Sequence, residues 1–141
     1  MMKFLLPIFF VLLSFCVNGQ NDLGIIGNET SLRSLNLREA KLVFKGKYNY
    51  WTNKKKVILV LPSSKNPNSG KTASVFYGTN PDGVKRFWLS LVFQGRASSP
   101  LFFDTDKEIL EYIQKNEGAI GIVAFEQWKL AEEKYKISLT E

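Results

Sequence analysis

Apolar residues along the chain follow two spacings in turn, the contiguous or alternating pattern of strands and the three-to-four spacing of helices. Strands are predicted at residues 23–27, 57–61, 101–103, 119–124 and 135–139, the last as an edge strand. Helices are predicted at residues 37–44, 72–77, 81–92 and 106–117, with a short one within residues 125–134. Strands that alternate with helices predict βαβ crossovers, a mostly parallel sheet and helices on both of its faces. The fold class is therefore α/β.

Capping residues mark the ends of these helices. Asn36 precedes Glu39 by three residues, as in a capping box, and Asn80 precedes a proline at the first helical position. Thr105 or Asp106 starts the next long helix. The expected stops are Gly46, Gly95 and Gly118.

The first 19 residues have the pattern of a secretory signal peptide. Lys3 precedes an apolar run at residues 4–13, and small residues ending at Gly19 follow. Cleavage after Gly19 would leave a single domain of residues 20–141. The alternative is a lipoprotein acylated at Cys16, but Phe15 is bulky where a small residue is needed. No later segment approaches the roughly 18 apolar residues of a membrane span, so we expect a periplasmic or secreted protein with no transmembrane segment in its mature chain.

Composition excludes several kinds of chemistry. The chain has no histidine, and its one cysteine, Cys16, falls in the predicted signal peptide. A mature protein without imidazole or thiol groups has no thiolate nucleophile, no histidine base and no Cys or His metal ligand. We therefore expect no enzyme, no metal and no cofactor. The formal net charge of +6 favours an anionic ligand or surface.

Three glycine phrases carry a resemblance to a known family. They are Phe44-Lys45-Gly46-Lys47, Phe93-Gln94-Gly95-Arg96 and Gly118-Ala119-Ile120-Gly121, with Trp51 after the first and Trp88 before the second. Their order over residues 23–123 resembles one lobe of the phosphate-type substrate-binding proteins of bacterial ABC importers. The resemblance implies a single lobe of the type II periplasmic binding protein fold and a non-catalytic protein that binds a small oxyanion such as phosphate.

The resemblance also indicates a site in residues 63–72, between a strand and a helix. In the family, main-chain amides and hydroxyl groups at helix starts hold the anion, and Ser69-Gly70 with Thr72 resembles its Ser-Gly-Thr contact. Lys71 stands where that threonine would be. The alternative is an ordinary connection whose serines cap the helix. The candidate ligand-binding residues are Ser63, Ser64, Ser69, Gly70, Lys71, Thr72 and, in a later loop, Arg96.

Two functions follow from this site. The first is binding of phosphate or a similar oxyanion, with a second copy in a homodimer or another protein supplying the opposing wall of the site. The second is a protein-protein interaction module in an envelope transport or sensing complex, in which the ligand cleft has become a docking surface and no small ligand is bound.

Other motifs receive structural interpretations. Gly70-Lys71-Thr72 resembles the end of a Walker A sequence, but Lys65 replaces its first glycine. Aromatic residues beside lysines at 45–56 could face nucleic acid, an acidic lipid or a polysaccharide, and we interpret them as a packing tryptophan beside a solvated turn, with no nucleic acid partner. Acidic residues at 104–111 suit a helix N-terminus better than a glycosidase pair.

Overall fold

The computed structural model describes residues 23–140, so the predicted signal peptide and Cys16 lie outside the described residues. One six-stranded sheet runs through this part of the chain in the order β2-β6-β1-β5-β3-β4. The strands are β1 (Leu23–Gly27), β2 (Ser34–Asn36), β3 (Ile58–Pro62), β4 (Leu101–Phe103), β5 (Ala119–Ala124) and β6 (Lys136–Thr140).

Helices connect most of the strands. They are α1 (Leu37–Phe44), α2 (Ser69–Thr72), α3 (Pro81–Phe93), α4 (Asp106–Lys115) and α5 (Phe125–Leu130). A π-helical turn, Ala73–Tyr77, continues α2, and a 3-10 turn, Glu133–Tyr135, precedes β6. Within residues 23–140, none of the helices is long and apolar enough to cross a membrane.

Strand pairing makes the sheet mostly parallel. β3 pairs in parallel with both β4 and β5, and β2 pairs in parallel with β6. β1 lies between β5 and β6 and is antiparallel to both. The carboxyl ends of β3, β4 and β5 therefore meet at one edge of the sheet, which is called the carboxyl edge below.

Helices cover both faces of the sheet, as the sequence predicts. Because side chains of a strand point alternately to opposite faces, Ile25 belongs to one core and Ile26 to the other. The first core lies under α1, the π-helical turn and α3. The second lies under α4, with Trp128 packed at its border. The prediction of an α/β sheet with two helical layers is confirmed.

The predicted starts of α1, α3 and α4 are confirmed by their capping hydrogen bonds. The Asn36 side chain accepts from the Glu39 N–H at 2.8 Å, Asn80 accepts from Gly83 N–H at 2.8 Å, and Thr105 caps α4 at 3.2 Å. Two expectations were wrong. β6 is not an edge strand, because β2 pairs with its outer side. The helix after β3 begins at Ser69 rather than at residue 72.

Tyr77 connects three elements of the first helical layer. Its hydroxyl donates to the Phe44 carbonyl oxygen and accepts from Trp88 Nε1 at 3.2 Å. Burial raises the pKa of Tyr77 above its ordinary value, and the Trp88 hydrogen bond partly opposes this rise. The neutral phenol is therefore the form that the folded chain holds.

We expect Tyr77→Phe to lower the free energy of unfolding by about 1–2 kcal/mol, because the Phe44 carbonyl and the Trp88 N–H lose their shared partner. Because burial holds the folded-state pKa of Tyr77 above the unfolded value of about 10, the unfolded chain loses this proton first as the pH rises. The contribution of Tyr77 to the free energy of unfolding is therefore fully present below about pH 10 and is lost as the pH rises above that value. Urea unfolding at neutral and alkaline pH should therefore show a shallower alkaline loss in Tyr77→Phe than in the parent.

The matched control is Tyr50→Phe, since Tyr50 is 64% exposed. That variant should unfold like the parent at both pH values. Equal stability of Tyr77→Phe and Tyr50→Phe would show that the shared hydroxyl does not hold the layer together.

Candidate functional site

The candidate loop leaves β3 at the carboxyl edge and is fixed there by side-chain amides. Asn66 is 2% exposed, and its Nδ2 donates to Asp106 Oδ1 at 3.2 Å. Asn68 Nδ2 donates to both Asp106 oxygens, at 3.1 and 3.0 Å. The Ala124 N–H, at the end of β5, donates to Asp106 Oδ2 at 3.0 Å. Asp106 therefore joins the loop, the start of α4 and the end of β5.

Thr72 carries a buried hydroxyl group that lacks a hydrogen-bond partner within the described residues. It lies at the end of α2, is 3% exposed, and its Oγ1 has no hydrogen-bond partner among the described residues. A buried hydroxyl without a partner costs free energy. Beside it is a cavity of about 10 Å³, which is about the space of one water molecule. Polar side chains at the border of this cavity are Ser64, Ser69, Thr72 and Lys85.

The structure brings three of the predicted site residues to this cavity, namely Ser64, Ser69 and Thr72. The Ser69 hydroxyl donates to the Ser64 carbonyl oxygen at 3.4 Å. Gly70 is exposed, and a Cβ added there would meet nothing within 4 Å. Packing therefore does not require glycine at this position, and the main chain is open to solvent on that side.

Ser63 and Lys71 are placed differently. The Ser63 hydroxyl donates to Asp104 Oδ1 and also accepts from the Lys65 N–H at 3.2 Å, so its donor is already used within the chain. Lys71 is half-buried and does not border the cavity.

Arg96 lies away from this cavity, and Lys85 lies beside it. α3 begins at Pro81, which borders the cavity, and its 13 residues rise about 20 Å before Arg96 is reached. Arg96 is exposed there and donates to Gln94 Oε1 at 3.4 Å. The predicted contact from Arg96 is therefore not assembled in this structure. Sequence reasoning missed Lys85, and its signal was its position one turn into the helix that follows Asn80.

Charges of both signs surround the cavity. Asp104 and Asp106 stand on the β4 side of the loop, where they accept hydrogen bonds from it. Lys85 borders the opposite side, on α3. Any anion held here would therefore have Lys85 on its α3 side and the carboxylates of Asp104 and Asp106 beyond the loop. Among residues 23–140 no group of three or more metal-binding side chains occurs.

No protein-family model matches the sequence, and no curated protein matches it. Solved structures do resemble the fold. A possible phosphate binding protein from Planctomyces limnophilus is similar with a TM-score of 0.61 and 12% identity, over 85% of this chain and 42% of that one. PstS from Borrelia burgdorferi is similar with a TM-score of 0.58 and 12% identity, over 85% of this chain and 47% of that one. An ABC-type phosphate transport receptor from Vibrio cholerae is similar with a TM-score of 0.51 and 14% identity, over 84% of this chain and 46% of that one.

This chain spans less than half the length of each of these structures. The similarity therefore concerns one sheet with its two helical layers, which is the fold of a single periplasmic binding protein lobe. At this level of identity the likeness establishes the fold alone.

Proposed function

We propose that this chain is an exported, non-catalytic binding protein that holds a small oxyanion such as phosphate at the carboxyl edge of its sheet. The observation that carries the proposal is the buried Thr72 hydroxyl, which has no hydrogen-bond partner in the described chain and borders a small cavity. Buried polar atoms in native proteins nearly always have a partner. A bound oxyanion would supply it.

The surrounding groups suit a tetrahedral anion. Ser64, Ser69 and Lys85, which carry hydroxyl and ammonium groups, border the same cavity. The Ser69 hydroxyl donates to the Ser64 carbonyl oxygen at the long distance of 3.4 Å, and we expect it to turn to the anion instead. The exposed Gly70 leaves main chain open beside them. Charge-assisted hydrogen bonds from such donors are about twice as strong as neutral ones.

The cavity also limits how the anion is held. Its volume of about 10 Å³ admits a water molecule but not a phosphate. The anion would therefore sit at the mouth, against Ser64, Ser69 and Lys85, with a water or one of its own oxygens reaching Thr72. Because pockets usually bury most of a ligand, we infer that a second copy or another envelope protein supplies the opposing wall.

Thermal unfolding with and without phosphate tests the proposal. Phosphate at about one hundred times its dissociation constant should add about 2.7 kcal/mol to the free energy of unfolding. In Thr72→Val we expect this shift to disappear, because the valine keeps the shape and removes the hydroxyl. Without phosphate the same variant should be as stable as the parent or slightly more so, since it buries no unpaired hydroxyl.

Ser74→Ala is the matched control, because Ser74 is exposed two residues beyond Thr72. It should keep the phosphate-induced shift. A parent protein that shows no shift with phosphate or sulfate would contradict oxyanion binding. That result, together with a captured envelope protein whose binding Ser64→Ala weakens, would favour the docking module instead.

A further inference from the structure

The chain divides its charge between two stretches of sequence. Residues 40–103 contain nine lysines and two arginines against Asp82 alone, a formal charge of +10, so the remaining residues sum to −4 within the total of +6. The basic stretch supplies α2, α3 and most of α1, which cover the first core. α4 and α5, on the other side, belong to the acidic remainder. The basic residues of the chain are therefore concentrated in the helices of this layer and in the loops that join them.

Exposed apolar side chains belong to the same basic stretch. Of the seven large hydrophobic residues that are exposed among residues 23–140, six lie within residues 48–101. Leu89, Val92 and Phe93 are 55%, 40% and 86% exposed, and they follow one another at helical spacing on the outer side of α3. Only Leu130 lies elsewhere in this part of the chain. Apolar groups so fully in water indicate a surface that is covered in use.

Basic residues lie next to the second half of α3 in the fold. The turn after α1 meets α3, because a Cβ on Gly46 would lie 2.7 Å from Trp88 Cη2. Lys45 and Lys47, on either side of Gly46, are exposed, and so is Arg96 beyond the end of α3. The basic apolar surface is defined here as Lys45, Lys47, Leu89, Val92, Phe93 and Arg96. It lies at the end of α3 opposite the Thr72 cavity.

We infer that the basic apolar surface docks on a membrane that contains anionic lipid. A helix with an apolar stripe and basic neighbours lies in the plane of a bilayer interface, with the apolar side chains at the boundary of headgroups and acyl chains. The lysine and arginine side chains then meet lipid phosphates. The inference does not depend on the proposed oxyanion site.

Lysine content favours lipid over protein as the partner. Protein-protein interfaces are depleted in lysine and enriched in arginine, whereas the basic apolar surface has two lysines, Lys45 and Lys47, and one arginine, Arg96. The apolar side chains also stand on the outer side of a helix and do not line a groove. Tyr48 and Tyr50, which are 44% and 64% exposed, add the amphipathic rings that prefer bilayer interfaces.

Vesicle sedimentation tests the inference. The protein to use is the chain from Gln20 onward, which contains every described strand and helix but not the predicted signal peptide. We expect binding to phosphatidylcholine vesicles that contain phosphatidylglycerol, no binding to phosphatidylcholine alone, and weaker binding as salt screens the charges. Lys45→Gln with Lys47→Gln should weaken partitioning about fivefold for each lysine. Leu89→Ser with Phe93→Ser should weaken it about tenfold or more.

Matched controls come from the acidic side of the molecule. Leu130→Ser removes an apolar side chain that is 81% exposed. Lys107→Gln with Lys115→Gln removes two exposed lysines from α4. Neither change should alter partitioning. Equal losses in these controls would overturn the inference, because they would show that only net charge or general stickiness drives binding.

A site-specific label reports insertion directly. The chain from Gln20 onward has no cysteine, so Phe93→Cys and Leu130→Cys each offer one thiol for an environment-sensitive dye. Vesicles with phosphatidylglycerol should shift the emission of the dye at position 93 to shorter wavelength and leave the dye at 130 unchanged. No vesicle binding at low salt, no shift at position 93, or displacement of the protein onto polyglutamate in preference to vesicles would each overturn the inference.

Discussion

Alanine at position 118 is expected to lower the free energy of unfolding by roughly 3–5 kcal/mol. Gly118 has a φ of +91°, and a Cβ there would lie 2.1 Å from the Lys56 carbonyl oxygen. That oxygen belongs to backbone that enters β3, so it cannot move aside cheaply. The Gly118 carbonyl also accepts from Trp51 Nε1 at 2.8 Å and from the Ile58 N–H at 3.1 Å. A small domain has only about 5–15 kcal/mol of stability to lose.

Gly95→Ala isolates the backbone part of this effect. Gly95 has a φ of +67°, but a Cβ there would meet nothing within 4 Å. We expect Gly95→Ala to cost about 1–2 kcal/mol, which is the penalty of left-handed backbone alone. Urea unfolding of the two variants and the parent measures the difference. Equal costs would show that the contact with Lys56 is relieved by a backbone shift.

The glycines that carry the family resemblance serve the fold rather than the ligand. Gly46, like Gly118, has a positive φ and close neighbours, since its Cβ would meet the Trp88 ring. Gly121 lies against β3, where a Cβ would be 2.8 Å from the Val60 carbonyl oxygen. None of the three borders the Thr72 cavity. The same phrases could therefore predict the lobe correctly without indicating whether the oxyanion site is intact.

Strand neighbours were harder to predict than strands. Residues around Ile137 alternate between polar and apolar types, and this pattern reports which face of a strand is buried. It does not report which strands form its hydrogen bonds. β2 was not predicted, because three residues with one buried apolar side chain, Leu35, give no periodic signal. Its pairing with β6 joins residues about a hundred positions apart, and only the assembled sheet determines that contact.

Only the part of the candidate site that is local in sequence was predictable, as with the strands. Ser64, Ser69 and Thr72 are close in sequence, and a turn of chain after a strand brings them together whatever else the fold does. Lys85 borders the cavity because α3 starts there. Asp106 reaches the loop because β3 and β4 are parallel neighbours that end at the same edge of the sheet. Arg96 was predicted as a further contact from the loop after Phe93, but the length of α3 places it at the end of that helix away from the cavity.

Removing the Asp106 carboxylate is the second change with a large expected effect. Asp106→Ala takes away the acceptor for Asn66, Asn68 and the Ala124 N–H at once. Asn66 is 2% exposed, so its amide cannot turn to water without opening the loop. We expect a loss of about 3 kcal/mol in the free energy of unfolding. Asp106→Asn should lose less, because one acceptor oxygen remains.

Asp106→Ala should also weaken phosphate binding at the proposed site, beyond what its loss of stability alone would cause. With Asn66 and Asn68 released, the loop loses the side-chain anchors that fix it beside α4. Ser64 and Ser69 are then held less firmly beside Thr72, so the phosphate-induced shift in melting temperature should vanish in Asp106→Ala. Asp82→Ala is the matched control, since Asp82 occupies the first turn of α3 as Asp106 does in α4. Its loss should be only about 0.3–1 kcal/mol, through the helix dipole, and its phosphate shift should remain. If the two variants lost equal stability, Asp106 would be a helix-end charge and not the group that assembles the site.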